Sequence, residues 1–308
     1  MRYVVTGAAG FIGSHLAEAL LADGHDVVGI DALTDYYDPA RKRANAAELE
    51  LVEDDLLTTD LDHLLADVDG VFHLAGQPGV RSSFGPDFAL YVERNITASS
   101  RVFEAAATHG VRVVYASSSS VYGDAERYPT PEDAIPRPIS PYGVSKLCVE
   151  QLAYAHARTL GLEAVGVRYF TVYGPRQRPD MAFTPLLEAL ADGSEFRLFG
   201  DGSASRSFTY VADAVSGTIA AGRDGRAGEL YNIGGGEEAT MSAAIAIAEQ
   251  IAGRELAIER HGAATGDVRR TGADVSKARA ELRWQPTTTL ARGLQAQWEW
   301  AAARVAPA

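Results

Sequence analysis

A chain of 308 residues that is 46% hydrophobic can bury one large core or two modest ones. Its 41 acidic residues outnumber 28 basic ones, and the net charge of −13 argues against nonspecific binding to nucleic acid. A single cysteine, Cys148, excludes an intramolecular disulfide and a cysteine-built zinc site, and no apolar run nears the ~18 residues that span a bilayer. The expectation is a cytoplasmic enzyme without a leader, a metal, a membrane partner or a nucleic-acid partner.

The chain opens on a buried strand, a glycine-rich turn, a helix over Ile12–Ala22 and a second strand that ends at Asp31. Gly7, Gly10 and Gly13 form the pattern G-x-x-G-x-x-G, which bares backbone N–H groups at a helix N-terminus and suits a pyrophosphate. Asp31 follows Gly7 by 24 residues, near the ~20 expected of the acid that bonds a ribose hydroxyl. A carboxylate there repels a 2′-phosphate, so NAD is favoured over NADP. An ordinary tight turn is the competing reading of the glycines.

Short apolar runs of strand length follow at Glu48–Glu53, Gly70–Ala75, Val111–Ser117 and Glu163–Phe170. Between them, Pro86–His109 and Tyr142–Leu160 repeat apolar residues at helical spacing. This alternation predicts an α/β fold, a doubly wound parallel sheet of the Rossmann type with helices on both faces. Beyond residue 170 the breakers Gly174-Pro175, Arg178-Pro179 and Gly200-Asp201-Gly202 shorten the elements. Ser207–Val211 and Glu229–Ile233 read as strands and Ser242–Ala252 as a helix. The division expected is a cofactor domain over 1–170 and a smaller α/β substrate lobe over 171–308, with about 206–235 returning to the main sheet.

Tyr142 and Lys146 stand four apart at the start of a predicted helix, so phenol and ammonium share a face. A cation beside a tyrosine favours the phenolate, and a tyrosine so tuned takes a proton from a sugar hydroxyl. Ser117 to Ser120 run off a strand end that faces the same crevice as the glycine turn. They serve either a site or their own turn.

Together these residues resemble the extended short-chain dehydrogenase/reductases that act on nucleotide sugars. The matching pieces are the glycine turn, Asp54-Asp55-Leu56, His73-Leu74-Ala75-Gly76, Asn95, the serine run, Tyr142 with Lys146, and Arg206-Ser207-Phe208-Thr209-Tyr210-Val211 with Asp213. The resemblance implies a catalytic Ser118 beside Tyr142 and Lys146. It implies cofactor contacts from Gly7, Gly10, Phe11, Ile12, Gly13 and Asp31, and from Asp55 and Leu56 at the adenine. Leu74, Ala75, Gly76, Asn95, Tyr142 and Lys146 would complete that set. Arg206 would clamp the nucleotide pyrophosphate bidentately.

Within the family, dehydratases carry Asp and Glu where this chain has Ser119 and Ser120, which removes the groups that expel water. The stretch Arg168–Ala182 and the loop Asp31–Arg43 resemble UDP-glucuronate 4-epimerases. Ser119, Ser120, Thr171 and Arg178 are the expected receivers of a sugar carboxylate. Arg81 is expected near a phosphate or the sugar ring. Where relatives place an arginine before Gly-Asp, this chain has Ala263-Ala264-Thr265, and Arg269 or Arg270 is the expected substitute.

The resulting expectation is NAD-dependent 4-epimerisation of UDP-glucuronate to UDP-galacturonate. Epimerisation of UDP-glucose or UDP-N-acetylglucosamine, UDP-glucuronate decarboxylation and a non-catalytic NAD sensor remain as alternatives. Ile96, Val102, Phe103, Leu147, Leu152 and Tyr154 spread over more than one helix face, and family members commonly pair such helices. A homodimer is therefore expected.

Overall fold

In the computed structural model, which describes residues 1–235, 237–262 and 266–305, the first half of the chain supplies six strands. These are β1 (Arg2–Thr6), β2 (Asp26–Ile30), β3 (Glu50–Val52), β4 (Gly70–His73), β5 (Arg112–Ser118) and β6 (Ala164–Tyr169). The second half adds β7 (Thr171–Tyr173), β8 (Phe196–Phe199), β9 (Ser205–Tyr210), β10 (Leu230–Ile233), β11 (Glu237–Thr240) and β12 (Ile258–His261). Seven strands form one sheet in the order β10-β6-β5-β4-β1-β2-β3, and each pairing is parallel. The order reverses between β1 and β4, and a crevice opens there beyond the strands' carboxyl ends.

The sheet is buried on both faces, which is why its strands read as continuous apolar runs. Val5 and Val114 point to one side, where Leu16, Leu20 and Val215 cover them. Val4 and Val113, one residue earlier in each strand, point to the other, against Val102, Phe103 and Val149. Val102 and Phe103 thus belong to the chain's own core rather than to an outer face.

β6 and β7 are separated by Phe170 alone, and at that residue the chain leaves the main sheet for a three-stranded one, β11-β9-β7. The switch sets Thr171 at the rim of the crevice. β9 finds its neighbours in β7 and β11, so Ser205–Tyr210 stays out of the main sheet. Re-entry begins with the helix Val211–Asp224, whose Val211, Ala214 and Val215 pack on the main sheet, and is completed by β10. Tyr173, Phe183, Leu187, Phe208 and Leu294 form a separate core beneath the small sheet. The stretch over Pro86–His109 is helical with a wider π turn at Val92–Thr97 that contains Asn95. Ala263–Thr265 lies outside the described residues. Among those described, no helix is long and apolar enough to cross a membrane.

Candidate active site

A cavity of about 1010 Å³ occupies the crevice, and the glycine turn forms one wall. Gly7 sits at φ +69°, and a Cβ there would lie 2.8 Å from the Ala75 nitrogen. A Cβ on Gly13 would lie 2.1 Å from the Gly7 carbonyl oxygen, so only glycine lets the helix start this close to the turn. Gly10, Phe11 and Ile12 line the same wall, Leu74 and Ala75 lie against Gly7, and Gly76, Asp55 and Leu56 also line the cavity. Asp31 accepts from the Leu33 amide at 2.9 Å and the Ala9 amide at 3.1 Å. Burial pushes its carboxyl up, opposed by the Leu33 amide, the Lys42 charge and the Ala9 amide. Nearby, the Tyr37 hydroxyl is buried and has no hydrogen-bond partner among the described residues. A bare turn, an acid with lone pairs left and an unpaired wall hydroxyl fit a dinucleotide.

Ser118 ends β5, and Tyr142 opens the helix Pro141–Leu160, whose N-cap is Ser140 with Oγ accepting from the Gly143 amide at 3.1 Å. Both residues line the cavity with Lys146. Burial pushes the Tyr142 phenol above its ordinary value of 10.0, while the Ser118 hydrogen bond and the Arg178 charge pull it down; Tyr91 and Asp180 reinforce the rise. Lys146 Nζ is turned to the Ala116 carbonyl at 3.0 Å, and burial alone brings its own pKa to about 8. Arg178 lowers the phenol's pKa, after the Ser118 hydrogen bond.

Ser119, Ser120, Thr171 and Arg178 share the cavity with the trio. Arg178 is held by Asp180, with Nε donating to Oδ1 and Nη2 to Oδ2, both at 3.0 Å. Tyr36 donates to the same carboxylate at 3.2 Å. Tyr36 belongs to the loop Asp31–Arg43 and Asp180 to the stretch Arg168–Ala182, so the two segments that resemble uronate epimerases meet at this carboxylate. At the far end, Arg81 donates to Asp267 at 2.7 Å and stacks over Phe199 at 4.3 Å, beside Arg206.

Two of the expected contacts stand outside the cavity lining. Asn95 does not line the cavity; it is 1% exposed and braces the loop behind it. Its Oδ1 accepts from the Gln77 amide at 2.6 Å, and its Nδ2 donates to Gln77 O at 3.1 Å and Ser145 Oγ at 2.9 Å. Arg269 is exposed and outside the cavity, because its backbone pairs with β9: its carbonyl accepts from the Ser205 amide at 3.1 Å and from Arg206 Nη1 at 3.4 Å. Arg270 is spent on Glu238, with contacts of 2.6 and 3.0 Å. Arg206 is thus the arginine of this stretch that faces the cavity.

The NAD dependent epimerase/dehydratase family model matches residues 3–234. Over 306 residues the chain is 43% identical to the uncharacterized UDP-glucose epimerase YtcB of Bacillus subtilis (strain 168), covering 96% of both. Over 310 residues it is 36% identical to the UDP-glucuronate 4-epimerase of Thermodesulfobacterium geofontis (strain OPF15), covering 97% of this chain and 95% of that one. The solved UDP-glucuronic acid 4-epimerase from Bacillus cereus, in complex with UDP-glucuronic acid and NAD, matches with a TM-score of 0.95 at 40% identity over 99% of this chain and 100% of that one. With the glycine turn, the serine strand end and the Tyr142–Lys146 helix around one cavity, this chain belongs to the NAD dependent epimerase/dehydratase family.

Proposed function

We propose that the chain is an isomerase that interconverts UDP-glucuronate and UDP-galacturonate at C4 with bound NAD. The observation that carries this reading is one cavity shared by Ser118, Tyr142 and Lys146 with the neutral donors Ser119, Ser120 and Thr171. The matched epimerase from Bacillus cereus, solved with UDP-glucuronic acid and NAD, supports it. When bound, NAD supplies reversible hydride chemistry at C4, so no net oxidation results.

Tyr142 Oη takes the O4 proton and returns it, while Ser118 Oγ hydrogen-bonds the same oxygen. Lys146 lies against Gly76 and the strand end, where it orients the cofactor ribose. Gly7, Gly10, Phe11, Ile12 and Gly13 receive the pyrophosphate, Asp31 the adenosine ribose, and Asp55 and Leu56 the adenine. Leu74, Ala75 and Gly76 form the floor beneath the cofactor. Arg206, with Arg81, holds the nucleotide of the sugar. Ser119, Ser120 and Thr171 grip the carboxylate and keep it near the plane of the C4 carbonyl. That grip protects a transient β-keto acid from losing carbon dioxide. Arg178 adds charge through the face that Asp180 leaves free.

A second reading, turnover of neutral UDP-hexoses, is favoured by the Arg178–Asp180 pair, since it leaves mostly uncharged donors for the sugar. Residues 1–170 form the cofactor domain and 171–308 the substrate lobe, apart from the helix Val211–Asp224 and β10, which return to the main sheet. A homodimer is supported by exposed Leu90, Val92, Val144 and Tyr154 on the two helical stretches, and sedimentation tests it. A cytoplasmic enzyme accords with the lone cysteine.

The direct experiment gives purified protein UDP-glucuronate, UDP-glucose and UDP-N-acetylglucosamine without added NAD. UDP-galacturonate forming fastest supports the proposal. Faster neutral-sugar turnover establishes the second reading, carbon dioxide release shows a decarboxylase, and inactivity toward all three overturns catalysis.

A further inference from the structure

One turn beyond Lys146, Glu150 enters the interior from the same helix. Arg168 donates Nε to its Oε1 at 2.8 Å and Nη2 to its Oε2 at 2.7 Å, and both side chains are 3% exposed. Ser117 Oγ donates to Oε1 at 2.5 Å. Ser117 and Arg168 are direct register partners on β5 and β6. The strand end Ala116–Ser118 is therefore tied to the helix at two points one turn apart, Ala116 O by Lys146 and Ser117 Oγ by Glu150. Tyr142 stands one turn to the other side of Lys146. Arg168 Nη1 also donates to Tyr122 Oη at 2.8 Å, and Tyr122 donates to Asn232 Oδ1 of β10 at 2.7 Å. Glu150 and Arg168 do not line the cavity.

A buried ion pair is a poor source of stability, since apolar residues of similar size often do as well or better. What a fork on a carboxylate supplies is fixed geometry. We propose that Glu150, Arg168 and Ser117 are positioning residues that set the register of Ser118 against Tyr142. The proposal rests on the epimerase reading, in which hydroxyl and phenol must converge on one oxygen.

The test compares wild type, Ser117→Ala and the uncharged double variant Glu150→Gln/Arg168→Met with UDP-glucuronate carrying protium or deuterium at C4. The double variant is expected to keep its Tm and KM while kcat falls about 100-fold, the scale of an ångström misplacement. Its deuterium effect on kcat should grow as hydride transfer becomes limiting. Ser117→Ala, which leaves the ion pair intact, should lose about tenfold in kcat with the same signature. If the double variant does not fold, Ser117→Ala decides alone. Unchanged kcat and isotope effect in a folded variant overturn the proposal and leave the epimerase reading standing; an inactive wild type overturns both.

Discussion

Arg178 and Asp180 face each other fork to carboxylate, two contacts of 3.0 Å across a separation of two residues. The pair sits on the same cavity as Tyr142, and its members act on the phenol in opposite senses: Arg178 lowers the pKa and Asp180 raises it. Activity that needs the phenolate rises with pH through that pKa. Arg178→Gln should therefore move the acidic limb of kcat to higher pH, and Asp180→Asn should move it lower. Limbs that shift together, or not at all, would separate this pair from the base.

The same pair predicts selectivity. An arginine offered to a sugar carboxylate makes a charge-assisted hydrogen bond of about 1.5–3 kcal/mol, or roughly 10- to 100-fold. Arg178→Ala should lose that factor in kcat/KM for UDP-glucuronate and much less for UDP-glucose. Equal losses on both sugars would count against any contact with the carboxylate.

Local signals made the cofactor half legible. Gly13 is required by a backbone distance within the turn, Gly7 by its φ of +69° and the approach of Ala75, and Asp31 follows β2, so all three are readable from spacing. Side-chain direction was not legible. Lys146 has the right spacing from Tyr142, yet its Nζ turns to Ala116 O. Asn95 has the right position but spends its amide on Gln77 and Ser145, and Arg269 is exposed while its carbonyl serves β9. Asp180 was visible in the motif, but its hold on Arg178 depends on a loop conformation that no periodicity reports.

Gly13→Ala puts a methyl 2.1 Å from a backbone oxygen that cannot move without opening the turn. Strain of about 1–3 kcal/mol is expected. The purified variant should melt earlier and carry less NAD, measured by chromatography of the denatured protein. Gly10→Ala, whose nearest contact is the same oxygen at 3.1 Å, should be milder. A Gly13→Ala protein with full NAD content would show that the turn has room to spare.

Tyr142→Phe removes the proton acceptor but keeps the ring, which packs edge-on against Tyr91 at 6.2 Å. A general base contributes about 10²- to 10⁴-fold, so kcat should fall by that factor with NAD content and Tm retained. Full-speed interconversion by this variant would exclude the phenol from catalysis.

His73 predicts an acid-sensitive fold. Thr6 Oγ1 accepts from the Ala75 amide at 3.1 Å, so its own proton is free for His73 Nδ1, 2.8 Å away. The ring then carries its proton on Nε2 and donates to Ser99 Oγ at 2.9 Å. In this arrangement the neutral ring satisfies both nitrogens. Burial, with a smaller push from the Lys146 charge, brings its pKa from 6.5 to about 3. Between those values the unfolded chain binds a proton that the folded one refuses. Stability is complete above pH 6.5 and falls with pH below it, by up to about 1.4 kcal/mol per unit from this group. His73→Gln, neutral throughout, should flatten the urea-unfolding free energy between pH 7 and 5 relative to wild type. Parallel slopes in the two proteins would mean that the ring accepts its proton inside the fold. Because Thr6 joins this ring to the Ala75 amide, the same acid step should loosen the floor beneath the cofactor, so NAD release should begin before global unfolding in wild type and not in the variant.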